Sequence, residues 1–244
     1  MSTFRFRIKN SQPTTHNSEL RTHNSELATI MISVDLLIFD LDGTLADTKD
    51  DIATAVNLTL RDFDLPLKEP ATIYGYVGDG VRKLLQRAFE GQSQGLYEQA
   101  LKVFRKHYLA HLLDTTQFYP GIREVLEHFK NKKKAIATNK PYEYTSNIID
   151  GLGVRSLFDL VLGGDSTLHL KPHPAIVKEV LGRLGIEGER AIMIGDGVND
   201  ILAARMAGTK SCAVGYGLGR VEDLLAVDPD FFCENVRDLP RLFC

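Results

Sequence analysis

From residue 34 onward, short apolar runs alternate with stretches of helical periodicity. The apolar runs are Val34–Phe39, Ala135–Thr138, Leu160–Leu162, Ala191–Ile194 and Cys212–Val214. Near-continuous apolar strands of this kind are typical of a parallel sheet that is covered on both faces. Helical patterns separate the later runs, at Ile122–Lys130, Tyr142–Leu152, Ala175–Leu184 and Ile201–Met206. The alternation predicts an α/β fold with a doubly wound, Rossmann-like parallel sheet.

One long connection breaks this alternation. More than 90 residues separate Asp40 from Ala135, and they show helical patterns at Asp50–Phe63, Val81–Phe89 and Gly95–Leu113 but no clear strand. A structureless loop of that length is implausible inside a compact domain. We therefore predict an all-α cap domain over residues 47–116, inserted into a core domain of residues 31–46 and 117–244. The hinges are expected near Asp47 and near Pro120-Gly121.

The first 30 residues differ from the rest of the chain. They are polar and contain a duplicated block, Thr15–Leu20 and then Thr22–Leu27. One leucine in each copy cannot form a coiled-coil seam, which needs apolar a and d positions, and the stretch has no apolar core of a signal peptide. We interpret residues 1–30 as a poorly structured leader before a second possible start at Met31.

The composition excludes several classes of partner. It is 43% hydrophobic and 25% charged, as is ordinary for a globular protein, and the formal net charge is -3. No basic run exceeds Lys132–Lys134, so no nucleic-acid surface is predicted. No apolar run approaches the roughly 20 residues that span a bilayer, and three scattered cysteines suggest reduced thiols. We expect a cytoplasmic protein without a membrane partner, either a monomer or a homodimer.

Candidate chemistry is concentrated in four polar clusters, each of which comes after an apolar run. They are Asp40–Thr44, Thr138–Asn139, Lys171–Pro172 and Gly195–Asp200. In open α/β sheets, ligands bind in the crevice outside the carboxyl ends of the strands. The clusters are therefore predicted to converge in space, with Lys171 carried there by a loop that starts near Gly163.

The first cluster offers two carboxylates on the same side of the chain. Side chains alternate along an extended segment, so Asp40 and Asp42 face one way while Leu41 points into the core. Such a pair can divide the roles of nucleophile and acid/base. Gly43 would let the backbone approach a phosphate closely. Taken alone, the cluster could also be a solvated Asp-Gly turn.

These motifs resemble those of a known family. The string Asp40-Leu41-Asp42-Gly43-Thr44 after an apolar strand is similar to the first motif of the haloacid dehalogenase superfamily, and the other clusters resemble its second, third and fourth motifs in order. The resemblance covers Val34 to Phe243, including a helical cap after the first motif. Within the superfamily, Gly78-Asp79-Gly80 and the segment from Gly163 to Pro174 are similar to bacterial phosphoglycolate phosphatases.

The resemblance implies a division of labour at the first and fourth motifs. Asp40 is expected to attack phosphorus and form an aspartyl-phosphate, and Asp42 to serve as general acid and then general base. Mg²⁺ is expected on the Asp40 carboxylate, the Asp42 main-chain carbonyl and Asp196, an oxygen-rich set that suits a hard cation. Asp200 would lie behind these ligands and orient a metal-bound water or Lys171.

The resemblance also implies a group of residues that bind the phosphate of the substrate. Lys171 belongs to this group and has a catalytic role as well, because its positive charge offsets the negative charges of the phosphate and of Asp40. The hydroxyl of Thr138 is expected to bind and stabilise the phosphoryl group. The members of the predicted substrate-binding set are Gly43, Thr138, Asn139 and Lys171. Arg82 or Lys83, beside the cap glycines, could meet a carboxylate of the substrate or simply be solvated.

The favoured function is that of a magnesium-dependent phosphatase for a small phosphate ester. Of such esters, 2-phosphoglycolate is the expected substrate. Alternatives within the superfamily are another small-metabolite or pyrophosphate phosphatase, and a phosphosugar mutase. A phosphoacceptor signalling module is the alternative that is not an enzyme, but it would lack both an acid/base group such as Asp42 and a large cap. A dinucleotide-binding dehydrogenase is disfavoured because no G-x-G-x-x-G follows the first strand, and Gly215–Gly219 comes too late.

Overall fold

The computed structural model describes residues 31–244, so the predicted leader lies outside the described residues. The strands are β1 (Leu36–Phe39), β2 (Ala46–Asp47), β3 (Gln117–Phe118), β4 (Lys133–Ala137), β5 (Leu160–Leu162), β6 (Ala191–Gly195), β7 (Lys210–Val214) and β8 (Phe231–Cys233). The helices are α1 (Lys49–Asp62), α2 (Pro70–Tyr74), α3 (Val81–Ala88), α4 (Gln94–His111), α5 (Ile122–His128), α6 (Tyr142–Gly151), α7 (Ala175–Leu184), α8 (Val198–Ala207), α9 (Val221–Ala226) and α10 (Leu239–Leu242).

Six of the strands form one parallel sheet in the order β5-β4-β1-β6-β7-β8. In this register Ile38 of β1 lies beside Ala135 on one side and Met193 on the other. From β1 the chain first builds β4 and β5 outward on one side and then β6, β7 and β8 on the other. The strand order therefore reverses at β1, which places the crevice of a doubly wound sheet at its carboxyl end.

Side chains of β1 alternate between the two faces of the sheet, and each face has its own helical layer. Leu37 and Phe39 belong to the same buried cluster as Ile122 of α5, whereas Leu36 and Ile38 belong to a second cluster with Val177 of α7. All four β1 side chains are at most 1% exposed, and burying such a side chain stabilises the fold by about 1.5–3 kcal/mol. The predicted α/β fold with a parallel sheet is confirmed.

The segment of residues 47–116, called the helical insert from here on, forms α1 to α4 and no strand beyond Asp47. Its two ends pass through a short antiparallel ribbon in which Ala46 pairs with Phe118 and Asp47 with Gln117. This ribbon includes Asp47, the first predicted hinge position, and ends two residues before Pro120, the second. Beside it, buried Asp51 of α1 accepts hydrogen bonds from Thr115 N at 3.0 Å and from Thr116 N at 2.8 Å. That carboxylate ties the entry of the helical insert to its exit.

The structure adds elements that periodicity did not predict. Helices α2, α9 and α10 have four to six residues, too few for a helical period to be evident, and β8 is a half-buried edge strand. Helix α8 begins at Val198 rather than Ile201, because the Asp200 side chain accepts a 3.0 Å bond from Gly197 N and closes the first turn. Between residues 31 and 244, we find no helix whose length and apolar character would let it cross a membrane.

Candidate active site

Asp40 directly follows β1, at the point where the strand order reverses. Its backbone N–H donates to Ile194 O at 3.0 Å, which continues the pairing with β6 by one residue. Its Oδ1 is buried and accepts no hydrogen bond from the described residues, although Nζ of Lys171 lies 3.0 Å away. A buried carboxylate oxygen with spare acceptor capacity is costly unless a cation or donor approaches it.

Lys171 reaches this crevice from the loop after β5, and its side chain is 1% exposed. Nζ donates to Asp200 Oδ1 at 2.5 Å and to Ala137 O at 2.7 Å. Burial opposes its charge, but the carboxylates of Asp200 and Asp40 more than offset that effect and raise the Lys171 pKa. The ammonium group is therefore a fixed positive charge beside Asp40.

Three buried carboxylates, those of Asp40, Asp196 and Asp200, meet at the crevice with ligand oxygens within 4.8 Å of one another. Burial, followed by repulsion from Asp40 and Asp200, raises the pKa of Asp196 to about 7. Burial also raises the pKa of Asp200 to about 6, although Lys171 partly counters it. Crowded, desolvated carboxylates with one lysine leave excess negative charge, so the donor set fits a hard divalent cation.

Two segments that are distant in sequence hold the Asp196 carboxylate in place. Thr44 Oγ1 donates to Asp196 Oδ1 at 2.9 Å, and Leu218 N donates to Oδ2 at 2.8 Å. A Cβ at Gly43, whose φ is +80°, would lie 2.1 Å from Asp196 Oδ2, and one at Gly219 would lie 1.8 Å from Asp196 O. Gly43 thus makes room for the Asp196 carboxylate, in addition to any approach of its backbone to a phosphate.

Asp42 points away from this carboxylate cluster and toward the helical insert. Its Oδ1 accepts from Thr48 Oγ1 at 2.6 Å and from Lys140 Nζ at 2.8 Å. The Asp42 side chain is 12% exposed and that of Lys140 is 4% exposed. The two carboxylates of the first motif therefore have separate partners, Lys171 for Asp40 and Lys140 for Asp42.

The second motif lies at the end of β4, next to β1. Thr138 is 1% exposed, and its Oγ1 accepts from Lys140 N at 3.2 Å. The Asn139 side chain bonds to backbone on both of its sides: Nδ2 donates to Gly78 O at 2.9 Å, and Oδ1 accepts from Lys171 N at 2.8 Å. The amide of Asn139 therefore joins three segments around the crevice, and its side chain is already hydrogen-bonded.

The helical insert closes over the crevice. Asn199 Nδ2, from the first turn of α8, donates to Asp79 Oδ1 at 2.9 Å, next to the Gly78–Asn139 contact. Between the insert and the sheet lies a cavity of about 40 Å³. Asp40, Asp42 and Lys140 line it on the sheet side, and Val81 and Leu84 are among the apolar residues on the insert side.

Residues 37–214 match the family of haloacid dehalogenase-like hydrolases. The chain belongs to this family.

Named relatives cover most of this hydrolase. A phosphoglycolate phosphatase of Colwellia psychrerythraea is 36% identical over 214 residues, which are 84% of this chain and 95% of that protein. A phosphoglycolate phosphatase of Aquifex aeolicus is 38% identical over 209 residues, covering 85% and 95%. The crystal structure of a predicted phosphoglycolate phosphatase from Haemophilus somnus superposes with a TM-score of 0.82 at 30% identity, covering 86% of this chain and 97% of that one. The predicted superfamily and fold are confirmed.

Sequence reasoning did not assign several residues that build the site of this hydrolase. Thr44 stood within the first motif but received no role. Lys140 follows the second motif by one residue, and its place two residues after a predicted strand, at the edge where the site is expected, was the signal that could have identified it. The loop Gly215–Gly219 lacks the spacing of a dinucleotide-binding motif, and in the structure the backbone N–H groups of Leu218 and Gly219 donate to Asp196 Oδ2. Backbone donors of this kind carry no signature in a single sequence.

Proposed function

We propose that this hydrolase is a phosphatase for small phosphate esters and that 2-phosphoglycolate is its preferred substrate. The proposal rests above all on one observation: Asp40 lies at the reversal of strand order, with a buried lysine at 3.0 Å and the Asp196 and Asp200 carboxylates beside it. The relatives named phosphoglycolate phosphatase support the choice of substrate, since each covers more than four fifths of this chain.

In the proposed reaction Asp40 is the nucleophile. One of its carboxylate oxygens forms a bond to phosphorus while the bond from phosphorus to the ester oxygen breaks, giving an aspartyl-phosphate and the alcohol of the leaving group. A carboxylate and a phosphate dianion repel each other, and Lys171 reduces that repulsion because its ammonium group is held against Asp40. Water then attacks the intermediate, releases inorganic phosphate and regenerates the Asp40 carboxylate.

Asp42 is the proposed general acid and base. Its carboxyl group gives a proton to the departing ester oxygen, and in the second step it takes a proton from the attacking water. Its position favours this role, because it faces the cavity under the helical insert and not the Asp196 carboxylate. Thr48 and Lys140 hold its orientation through bonds of 2.6 and 2.8 Å.

The carboxylates of Asp40 and Asp196, with the main-chain carbonyl of Asp42, would hold Mg²⁺. When bound, the ion neutralises charge on the phosphoryl oxygens and orients them for attack. The buried carboxylates of Asp40, Asp196 and Asp200, whose oxygens lie within 4.8 Å of one another, support a cation there. Asp200 would act indirectly, because its Oδ1 accepts a 2.5 Å hydrogen bond from Lys171 Nζ and so holds that ammonium group in position.

The proposed phosphate site lies around these groups. The Thr138 hydroxyl and Lys171 would contact phosphoryl oxygens, together with backbone N–H groups near Gly43. Because the Asn139 amide already bonds to Gly78 O and Lys171 N, we propose that Asn139 shapes this site by positioning Lys171. Its contribution to substrate binding would then be through the loops that it joins.

We further propose that residues 47–116 act as a cap domain on a core of residues 31–46 and 117–244. The two-stranded ribbon at Ala46–Asp47 and Gln117–Phe118 is the place where such a cap would pivot. Closure would exclude bulk water and complete the site, and opening would release the product. The contacts of Gly78 and Asp79 with the core describe the closed form.

The test is a panel of phosphorylated metabolites assayed for released phosphate, with and without Mg²⁺. We expect 2-phosphoglycolate to give the highest kcat/KM, and chelation of divalent cations to abolish turnover. Faster turnover of glucose 6-phosphate, nucleotides or pyrophosphate would refute the assignment of 2-phosphoglycolate as substrate, but not the phosphatase activity. Release of no phosphate from any ester in the presence of Mg²⁺ would refute the phosphatase itself.

A further inference from the structure

The cavity under the helical insert contains a cation that the proposed reaction uses only to orient Asp42. Lys140 Nζ lies 2.8 Å from Asp42 Oδ1 and 3.1 Å from Oδ2, and it stands 4.7 Å from the centre of the Tyr108 ring. An ammonium group has three N–H donors. Among the described residues Asp42 is its sole hydrogen-bond partner, and Lys140 itself lines the cavity.

Apart from Lys140, Asp40 and Asp42, the walls of this cavity are mostly apolar. They include Ile52, Val81, Leu84 and Phe104. The volume of about 40 Å³ holds only a few small groups, because one water-sized group needs roughly 10–15 Å³. In such surroundings a cation attracts an anionic group much more strongly than it would in water. The cavity favours a small leaving group that carries one negative charge.

The other cations of this region point elsewhere. Arg82 is 66% exposed and pairs with Glu98, and Lys83 is 61% exposed and lies 4.0 Å from Asp79. The sequence raised both as partners for a carboxylate, and neither lines the cavity. Lys140 is the single lysine or arginine among the described residues that does so.

We propose that Lys140 binds a carboxylate on the leaving group and thereby selects phosphate esters of short 2-hydroxy acids. The inference rests on the proposed phosphatase function and deepens it. Asp42 must come within about 3 Å of the ester oxygen to protonate it, and Lys140 lies 2.8 Å from Asp42. Lys140 and the ester oxygen are thus close together. A carboxylate one carbon from the ester oxygen can reach Lys140, whereas a longer leaving group does not fit a cavity of about 40 Å³.

The test compares two substrates that differ in the carboxylate. For the wild type, Lys140→Met and the matched control Lys102→Met, kcat/KM is measured with 2-phosphoglycolate and with ethyl phosphate. Lys102 is an exposed lysine of α4, so its loss is a change of charge on the helical insert outside the cavity. We expect Lys140→Met to lower the ratio of the two kcat/KM values roughly 10- to 100-fold, as for the loss of a charged hydrogen bond. Lys102→Met should leave the ratio unchanged.

An equal loss on both substrates would overturn the proposal, because it would mean that Lys140 only orients Asp42. If Lys140→Met melts below the assay temperature, Lys140→Gln carries the same comparison, since it retains a donor toward Asp42. If the wild type hydrolyses neither ester, the phosphatase proposal has failed, and titration calorimetry then decides the role of Lys140. Weaker binding of 2-phosphoglycolate by Lys140→Met, with unchanged binding of inorganic phosphate, would support that role, and unchanged binding of both would overturn it.

Discussion

Asn199 donates a 2.9 Å hydrogen bond from Nδ2 to Oδ1 of Asp79, and this bond joins the helical insert to the first turn of α8. Arg87 pairs with the other oxygen of Asp79 at 2.5 Å, so the carboxylate is held from both sides. The same turn of α8 carries Asp200, and Asp196 lies two residues before this helix begins. The helical insert is therefore in direct contact with the segment that supplies two carboxylates of the site.

Replacing Asn199 by alanine should impair closure without disturbing the sheet. A hydrogen bond to a charged group contributes about 1.5–3 kcal/mol, so kcat/KM for the preferred phosphate ester should fall roughly 10- to 100-fold. Asn147→Ala is the control, because the Asn147 amide bonds within α6 to Glu143 O and is exposed. Steady-state kinetics that agree for both variants and the wild type would contradict a role of this bond in closure.

Asp40→Asn should abolish turnover while the protein remains folded. An amide is a poor nucleophile and a poor ligand for a hard cation, and the substitution also removes a charge that faces Lys171. The measurement is phosphate release together with a thermal melt. Near-normal phosphate release from a folded Asp40→Asn variant would exclude an aspartyl-phosphate on this residue.

Asp42→Asn should slow the reaction by about 10²–10⁴-fold, the usual contribution of a general acid or base. The loss should be smaller for p-nitrophenyl phosphate, whose leaving group needs little protonation, than for an alkyl phosphate. The measurement is kcat for both substrates with the wild type and with the variant. A loss below about tenfold with the alkyl phosphate would argue against the acid/base assignment.

The raised pKa of Asp196 predicts how the stability of the metal-free protein depends on pH. The folded-state pKa is about 7 against an ordinary value of 3.8, so between these values the folded state binds a proton that the unfolded state does not. Stability must therefore decrease as the pH rises toward about 7, where Asp196 ionises in the folded protein. The measurement is the melting temperature of the wild type minus that of Asp196→Asn, both in EDTA. This difference should be smaller, or more negative, at pH 8 than at pH 5.5.

Adding Mg²⁺ provides the complementary measurement for the same site. A ligand that binds only the folded state stabilises it, so Mg²⁺ at pH 8 should raise the melting temperature of the wild type more than that of Asp196→Asn. Parallel pH profiles of the two proteins in EDTA would show that Asp196 is not the titrating group. Equal shifts on adding Mg²⁺ would show that it does not hold the ion.

Asp51→Ala should destabilise the junction between the helical insert and the sheet. The carboxylate accepts from Thr115 N, Thr115 Oγ1 and Thr116 N at 3.0, 2.6 and 2.8 Å, and it is 1% exposed. Leaving buried donors unpaired costs about 1–3 kcal/mol, which denaturant unfolding can measure. Glu90→Ala, at an exposed position, is the control. A free energy of unfolding within about 0.5 kcal/mol of the wild type would contradict this account.

Much of the site was predictable because a parallel sheet brings the carboxyl ends of its strands to one edge. Asp40 and Asp196 follow strands that turned out to be neighbours, and Lys171 reaches the same edge by a loop. The apolar runs predict the strands. Polar residues that follow parallel strands must all lie at the same edge of the sheet. The fold class and the approach of Lys171 to Asp40 could therefore be inferred from the sequence.

Other features depended on which atoms meet across long stretches of chain. Lys140 pairs with Asp42 although 98 positions separate them, and Thr44 reaches Asp196 across 152. The backbone N–H of Leu218 has no side-chain signature, and the Asn139 amide bonds to backbone where the sequence suggested a substrate contact. Periodicity reports only which face of an element is buried. The direction of each polar side chain is decided by tertiary packing, because a buried donor or acceptor must pair with whichever group the fold brings within reach.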